Sequence, residues 1–171
     1  GGLCIDTRNG NIYRNSGTLL APVWEPNVTA ATATNDNAAA GEIGEYKSAS
    51  VAEGSPVSLT SDAAADVTSL SLGAGDWEVE GIAGYNATAT TSITRLAQGI
   101  SDTSATLGAL GTVSSLAVPA SVPAATSDNL LPTPRVRISL ASTTTIYLVA
   151  IGTFTADTLT AYGFLRARRV R

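Results

Sequence analysis

Residues 135–171 read RVRISLASTTTIYLVAIGTFTADTLTAYGFLRARRVR. In the first part, polar residues alternate with Val136, Ile138 and Leu140, which is the period-two pattern of a strand with one face in a core and one in water. The next run, TIYLVAIGTFTA, is apolar on both faces and rich in β-branched and aromatic residues, as in a central strand that is covered on both sides. A third run, LTAYGFLRARRV, follows. Three such runs at short spacing predict three consecutive antiparallel strands arranged as a meander.

Shorter runs upstream predict further strands. They are YKSASVAEG, SPVSLTSD, VTSLSL, DWEVEGIAGY and TATTSITRLAQGIS, followed by irregular strands and a proline-bearing loop between residues 102 and 134. Val67, Leu70 and Leu72 are core candidates, and their irregular spacing predicts a β-bulge. The large aromatic residues on these runs are also assigned to the core, namely Trp77, Tyr147, Phe154 and Phe164. About eight strands without a convincing helix predict an all-β fold, an antiparallel β-sandwich of jelly-roll type.

The N-terminal part of the chain differs from this pattern. Two short apolar runs, LCIDT and NIYRN, flank Asn9-Gly10, the residue pair that favours a tight hairpin turn. Residues 27–44 show no sustained period and read as an extended arm. The predicted domain map is therefore a hairpin and arm over residues 1–44 and a β-sandwich over residues 45–171.

Composition excludes several kinds of chemistry. The chain has one cysteine, Cys4, and no histidine, so it cannot form a Cys/His zinc site, a Ser-His-Asp triad or a Cys-His dyad. We expect no cofactor and no intrachain disulfide. No apolar run approaches the roughly 20 residues that span a bilayer, and no signal sequence opens the chain, so no membrane partner is expected. The chain starts with Gly1-Gly2 and lacks methionine, which suggests a processed or incompletely represented chain.

Charge is distributed unevenly along the chain. Residues 1–134 carry 4 basic and 13 acidic side chains (net −9), whereas residues 135–171 carry 6 basic and 1 acidic (net +5). The arginines and one acidic run fall at period-two spacing on predicted strands. They are Arg135, Arg137, Arg166 and Arg168, and Asp76, Glu78 and Glu80. Alternation of this kind favours a charge ladder across strands or between subunits over a basic patch for nucleic acid.

The same three carboxylates are the best candidates for acid and base catalysis. Carboxyl groups about 5–9.5 Å apart serve glycosidases, and residues two apart on a strand satisfy that distance. A saccharide cleft also needs aromatic platforms, and Trp77, the aromatic residue nearest to the run, is predicted to point to the opposite face. We therefore predict a protein without enzymatic activity.

Two segments resemble known proteins. DWEVEGIAGYNATATTSITRLAQGISDTSATL and PRVRISLASTTTIYLVAIGTFTADTLTAYGFLRARRVR resemble the C-terminal domain of bacteriophage virion proteins, which occur as head-decoration or fibre proteins and as tail-fibre tips. The resemblance covers roughly residues 46–171, and its final segment, YGFLRARRVR, is the most specific part. It implies a structural protein on the virion surface, made in the bacterial host cytoplasm and assembled as a homotrimer with the major capsid protein or other virion proteins as partners.

The resemblance leaves two locations open. Capsid decoration, as a head fibre or cement protein, ranks first; the alternative is a tail-fibre or receptor-binding tip that contacts a host receptor. The N-terminal segment CIDTRNGNIYRNSGTLLAPVW also resembles a short module of phage structural proteins that belongs to the part attached to the particle. Carried over, this implies that Ile5, Ile12, Tyr13 and Trp24 bury against other virion chains; the alternative is that they fold back on their own domain.

Overall fold

The structure is a computed structural model that describes residues 2–5, 12–26, 37–123 and 129–171. The chain divides into two compact units, residues 1–36 and residues 37–171. Residues 37–44 lie in the second unit because they hydrogen-bond to it; for example, the Gly44 N–H donates to the Arg169 carbonyl at 3.0 Å. The structural boundary thus falls after Asp36, whereas the sequence pattern placed it after Gly44. Within the described ranges, no helix has the length and apolar character needed to cross a bilayer.

The described residues of the first unit form a three-stranded antiparallel sheet. Its strands are β1 (Leu3–Ile5), β2 (Ile12–Asn15) and β3 (Trp24–Pro26), with β2 in the middle. β1 and β2 pair as the two arms of the predicted hairpin, with Ile5 opposite Ile12. The predicted turn at Asn9-Gly10 and most of the predicted arm, residues 27–36, lie outside the described residues.

Within its described residues, 37–123 and 129–171, the second unit contains ten strands in two antiparallel sheets. In chain order they are β4 (Tyr46–Val51), β5 (Val57–Leu59), β6 (Ala65–Leu72), β7 (Gly75–Ala87), β8 (Ser92–Ser101), β9 (Val113–Pro123), β10 (Asn129–Pro132), β11 (Val136–Leu140), β12 (Thr144–Thr155) and β13 (Leu159–Arg169). The six-stranded sheet has the order β10-β7-β13-β4, with β11 also on β7 and β5 also on β13. The four-stranded sheet has the order β6-β12-β8-β9.

The pairing follows one rule along the chain. Strands β4 and β5 pair with β13, β6 pairs with β12, β7 pairs with β10 and β11, and β8 pairs with β9. The first half of the unit therefore runs antiparallel to the second half like one long hairpin, whose paired strands alternate between the two sheets. β4 and β5 together occupy one strand position, as do β10 and β11, so the ten strands fill eight positions. Eight antiparallel strands rolled up in this way form a jelly roll. The predicted all-β sandwich of jelly-roll type is confirmed.

The predicted meander over residues 135–171 is wrong. β11 pairs with β7, β12 pairs with β6 and β8, and β13 pairs with β7, β4 and β5. β12 lies in the four-stranded sheet, whereas β11 and β13 lie in the six-stranded sheet on opposite sides of β7. Both connections therefore cross the sandwich, and no two of the three strands are hydrogen-bonded neighbours. The central, two-sided burial predicted for TIYLVAIGTFTA is correct for β12, in which Ile146, Leu148 and Val149 are fully buried.

The core lies between the sheets and follows the period-two alternation. Val67, Leu70 and Leu72 of β6 are buried as predicted, and the register of β6 with β12 shifts between Leu148 and Val149, which is the predicted bulge. Of the aromatic residues assigned to the core, Trp77 is fully buried and Phe154 packs against the core from a partly buried position. The assignment is wrong for two of them: Tyr147 lies between buried Ile146 and Leu148, and Phe164 precedes buried Leu165, so alternation turns both outward.

Candidate interaction surface

The six-stranded sheet presents one face to the core and one away from it, which we call the outer face. On β7, Trp77 and Val79 are fully buried in the core, so alternation directs Asp76, Glu78 and Glu80 to the outer face. The same rule directs alternate residues of β13 and β11 outward. These two strands lie on either side of β7. The acidic row of one strand is thus flanked by a basic row on each neighbour, and we call this arrangement the charge ladder.

Glu80 has an arginine on each side. Arg166 of β13 lies directly opposite in register, and its Nη2 approaches Glu80 Oε1 to 2.6 Å. Arg135, beside β11, reaches Glu80 at 3.5 Å and Glu78 at 3.6 Å. Arg168 lies opposite Glu78 in register, yet among the described residues no carboxylate lies within 4.0 Å of its guanidinium. The structure therefore joins Arg135 and Arg166 to the acidic row within one chain and leaves Arg168 exposed beside it.

Asp76 is the most enclosed carboxylate of the ladder, with its side chain only 3% exposed. Arg137 Nη2 lies 2.7 Å and Arg171 Nε 3.0 Å from its Oδ2. Hydrogen bonds from Ser139 and Arg137, the first being the larger effect, lower the pKa of Asp76 from its ordinary value. The carboxylate is thus held ionised and fixed in place.

The other end of the outer face is apolar. Ile82 and Phe164 are register partners, and Ile82 is 43% exposed. Leu130 of β10, which lies opposite Gly84, is 55% exposed. The Tyr162 ring lies over Gly84, where a Cβ would overlap it. One sheet face therefore combines a salt-bridged end with an apolar end, and exposed apolar clusters of this kind mark contact surfaces.

A second charged group is buried at the end of the same sheet. Arg169 Nε donates to Glu45 Oε2 at 2.9 Å, and the two side chains are only 8% and 7% exposed. Arg169 Nη1 also donates to the Ala74 carbonyl, and its guanidinium stacks on Trp77 at 4.4 Å from the ring centre. The Gly41 N–H lowers the pKa of Glu45 most, burial opposes that shift, and Arg169 adds to the lowering. We call Glu45, Arg169 and Trp77 the buried cluster.

Sequence reasoning missed this cluster, although one signal was present. Leu165, Ala167 and Arg169 share the core-facing side of β13, so an arginine stands in an apolar row. A cation at such a position needs a buried partner. The period-two alternation of β13 does not reveal that the partner is Glu45, which is 124 residues away along the chain.

The first unit carries the predicted attachment residues. Tyr13 is partly buried and Trp24 is 47% exposed. Ile5 and Ile12 face each other in register, and their side chains fall outside what the structure describes. The structure thus places Trp24 at the surface of this unit, available to another chain.

A loop in the same unit exposes two further apolar residues. Leu19 and Leu20 are 94% and 96% exposed at the tip of the connection between β2 and β3. The Asn15 side chain accepts hydrogen bonds from the N–H groups of Gly17 and Val23 at 2.9 and 3.0 Å and closes the loop at its base. Sequence reasoning did not select these leucines, because a short apolar pair in a loop has no periodicity.

The charge ladder is unsuited to acid and base catalysis. A glycosidase needs one carboxylic acid with a raised pKa, whereas arginines lie close to all three carboxylates here and the pKa of Asp76 is lowered. Trp77 faces the core and cannot serve as a sugar platform. In the described ranges, no group of three or more Cys, Asp or Glu side chains is arranged to hold a metal ion.

Fold and surface together define a jelly-roll sandwich with a salt-bridged and partly apolar outer sheet face. No protein-family model matches the chain, and no curated protein matches it either. Among solved structures, it is similar to the VP2 subviral particle of infectious bursal disease virus, with 12% identity, a TM-score of 0.45 and coverage of 74% of this chain and 33% of that one.

Two further solved structures come from the same virus. The structure of the Gx strain of this virus matches with 15% identity, a TM-score of 0.44 and coverage of 74% of this chain and 32% of that one. The T13 viral particle matches with 15% identity, a TM-score of 0.44 and coverage of 86% and 37%. The chain thus spans about a third of the length of the proteins it matches.

Proposed function

We propose that this chain is a non-enzymatic structural protein of a bacteriophage, displayed on the virion surface as a trimeric capsid decoration protein of the head-fibre or cement type. The observation that carries the proposal is the resemblance of YGFLRARRVR and its surroundings to phage virion proteins. The segment YGFLRARRVR forms most of β13, the strand that contributes Arg166 and Phe164 to the outer face. Alternate residues of this segment therefore lie on the outer face, whereas Leu165, Ala167 and Arg169 face the core.

The outer face supports self-association. Its apolar end, with Ile82 and Leu130 roughly half exposed, offers a contact for a second and third copy, and the ladder beside it links β7 to β13 through the Arg166–Glu80 ion pair. Obligate assemblies bury on the order of 2,000 Å² or more. Analytical ultracentrifugation at micromolar concentration should give a trimer, and Ile82→Lys should give monomers. A stable monomer of the unaltered chain would refute the trimer.

The first unit is proposed as the attachment segment. Trp24, Leu19 and Leu20 are exposed apolar side chains of this unit, suited to an apolar recess on the major capsid protein. A full-length chain with Leu19→Ser, Leu20→Ser and Trp24→Ala should fold and assemble normally but fail to decorate particles. Normal decoration by this variant would show that attachment uses another surface.

Deletion of the first unit gives an independent test of the attachment role, and the deleted segment should end at residue 36. Residues 37–44 supply the Gly41 N–H to Glu45, so a chain that lacks residues 1–36 should fold, whereas one that lacks residues 1–44 should be less stable. If removal of residues 1–36 abolished folding, the first unit would be part of the sandwich and the attachment role would be withdrawn.

Location on the particle decides between decoration and the alternative, a tail-fibre or receptor-binding tip. Electron microscopy of particles labelled on this chain should show label over the head. Label confined to the tail would replace capsid decoration by the tail role and would call for a search for a host receptor.

A further inference from the structure

The four-stranded sheet of the second unit ends in β9, whose outer edge pairs with no described strand of residues 37–171. An unpaired edge presents a row of N–H and C=O groups that can pair with another strand. Proteins usually protect such edges with charged side chains, prolines, bulges or short strands.

The edges other than β9 are protected. Arg137 lies on β11, Lys47 on β4 and Asp66 on β6, and β5 and β10 are only three and four residues long. β9 differs from all of them. Residues 103–127, which include the whole strand, contain no Asp, Glu, Lys or Arg.

Protection on β9 covers only its second half. Pro119 and Pro123 cannot donate to a ladder, and the register with β8 shifts between Ile93 and Arg95, opposite residues 117–122. Residues 113–117 keep a regular register and contain no proline. Within them Leu116 is 47% exposed, although its register partner Leu96 is buried. Residues 113–117 therefore form a neutral, regular and partly apolar edge, which we call the open edge.

We propose that the open edge pairs with the open edge of a second copy of this chain, antiparallel about a twofold axis. Charge favours this partner: edges that bear Arg137 or Lys47 would bring like charges together in a pair of identical copies, whereas the open edge itself bears no charged residue and the charge nearest its centre is Arg95 of the neighbouring strand β8. The twofold arrangement gives each exposed N–H a C=O partner and extends the four-stranded sheet across both copies. A pairing that uses the whole edge places its middle residue, Ser115, on the axis. This pairing does not depend on the proposed virion role.

Cross-linking tests the pairing directly. Cα atoms opposite each other in antiparallel strands lie about 4.5–5.5 Å apart, within the range of about 4.4–6.8 Å that a disulfide spans. In a full-length Cys4→Ser background, Ser115→Cys should oxidise to a covalent dimer that includes most of the chains at tens of micromolar. Ser58→Cys is the matched control, because Ser58 is also exposed on an edge strand, β5, and should remain uncross-linked. Equal and low cross-linking of the two variants overturns the proposal.

A charge on the axis provides the second test. Ser115 already lies near Arg95, whose Nε is 3.4 Å from the Ser115 hydroxyl, so Ser115→Lys gathers two lysines and two arginines at the axis. We expect the association constant to fall at least tenfold, whereas Ser115→Thr and Ser58→Lys leave it unchanged. At tens of micromolar, where the edges of two trimers pair, sedimentation of Ser115→Lys should show half the particle mass of the unaltered chain: trimer instead of hexamer, or monomer instead of dimer if the trimer does not form. Failure of the trimer and failure of the edge pairing thus give different particle masses by sedimentation. If Ser115→Lys folds normally and has the same particle mass as the unaltered chain, the pairing is refuted.

Discussion

Replacing Arg169 with methionine removes the cation of the buried cluster while keeping a side chain of similar length. In the native protein the guanidinium is bonded to Glu45 and the Ala74 carbonyl and stacks on Trp77 at 4.4 Å from the ring centre. Methionine can still touch the ring but leaves the Glu45 carboxylate, 7% exposed, without its close cation. Lys47 remains 3.7 Å from that carboxylate and compensates in part.

The cost follows from burial. Removing one partner of a buried ion pair typically destabilises a protein by about 3–5 kcal/mol, and partial compensation by Lys47 favours the lower value, about 3 kcal/mol. Lost stacking contributes on the order of 0.5–2 kcal/mol, which the methionine sulfur replaces in part. Since domains are stable by only about 5–15 kcal/mol, this single change should remove a large share of the total.

Urea unfolding of the Arg169→Met variant, followed by tryptophan fluorescence, measures the change. The control is Arg168→Met, because this neighbouring arginine is exposed and should cost less than about 0.5 kcal/mol. Glu45→Gln combined with Arg169→Met should cost less than the sum of the single changes by about 1–3 kcal/mol, since the double variant leaves no unpaired charge. A loss below 1 kcal/mol for Arg169→Met, or strict additivity of the two changes, would show that the pair is not coupled.

Three further outcomes are expected. The pKa of Glu45 is lowered in the folded state, so its stabilising contribution is present above the ordinary pKa of 4.5 and is lost as the pH falls through the folded value; denaturant titrations at several pH values should show a smaller acid loss for Glu45→Gln. Gly75→Ala should destabilise by about 2 kcal/mol or more, because φ is +130° and the new Cβ would overlap Arg169, whereas Gly54→Ala meets no atom within 4 Å and should be neutral in thermal unfolding. Tyr85→Phe should cost about 1–2 kcal/mol in urea unfolding, because the buried hydroxyl donates to the Ala97 carbonyl at 2.8 Å; a change below 0.3 kcal/mol would contradict that assignment.

The candidate site could be predicted from sequence to the extent that it depends on alternation. Asp76, Glu78 and Glu80 face away from Trp77 because neighbouring side chains on any strand point to opposite faces, and this holds whatever sheet the strand joins. That the arginines of β11 and β13 flank this row depends on two strands entering the same sheet on opposite sides of β7. Spacing within β11 or β13 carries no such information.

Aromatic residues show the same limit. Phe164 was assigned to the core from its residue type, but its place in the alternation turns it to the outer face, where it meets Ile82. Alternation with buried Leu165 gives the observed orientation, and the general burial preference of aromatic residues does not. Where the two signals disagree in a strand, the alternation is the better guide, because backbone geometry enforces it.

The sequence by itself determined the all-β class, the position of most strands, the bulge in β6 and the face on which most side chains lie. These properties depend on period, β-propensity and turn residues, all of which are local. Only the tertiary structure decided that β11, β12 and β13 alternate between two sheets, that Glu45 meets Arg169 across 124 residues, and that β9 lies at an edge. The physical reason is that strand pairing satisfies backbone hydrogen bonds equally well with many partners. The partner is chosen by how the whole chain buries its apolar faces, and no single segment encodes that choice.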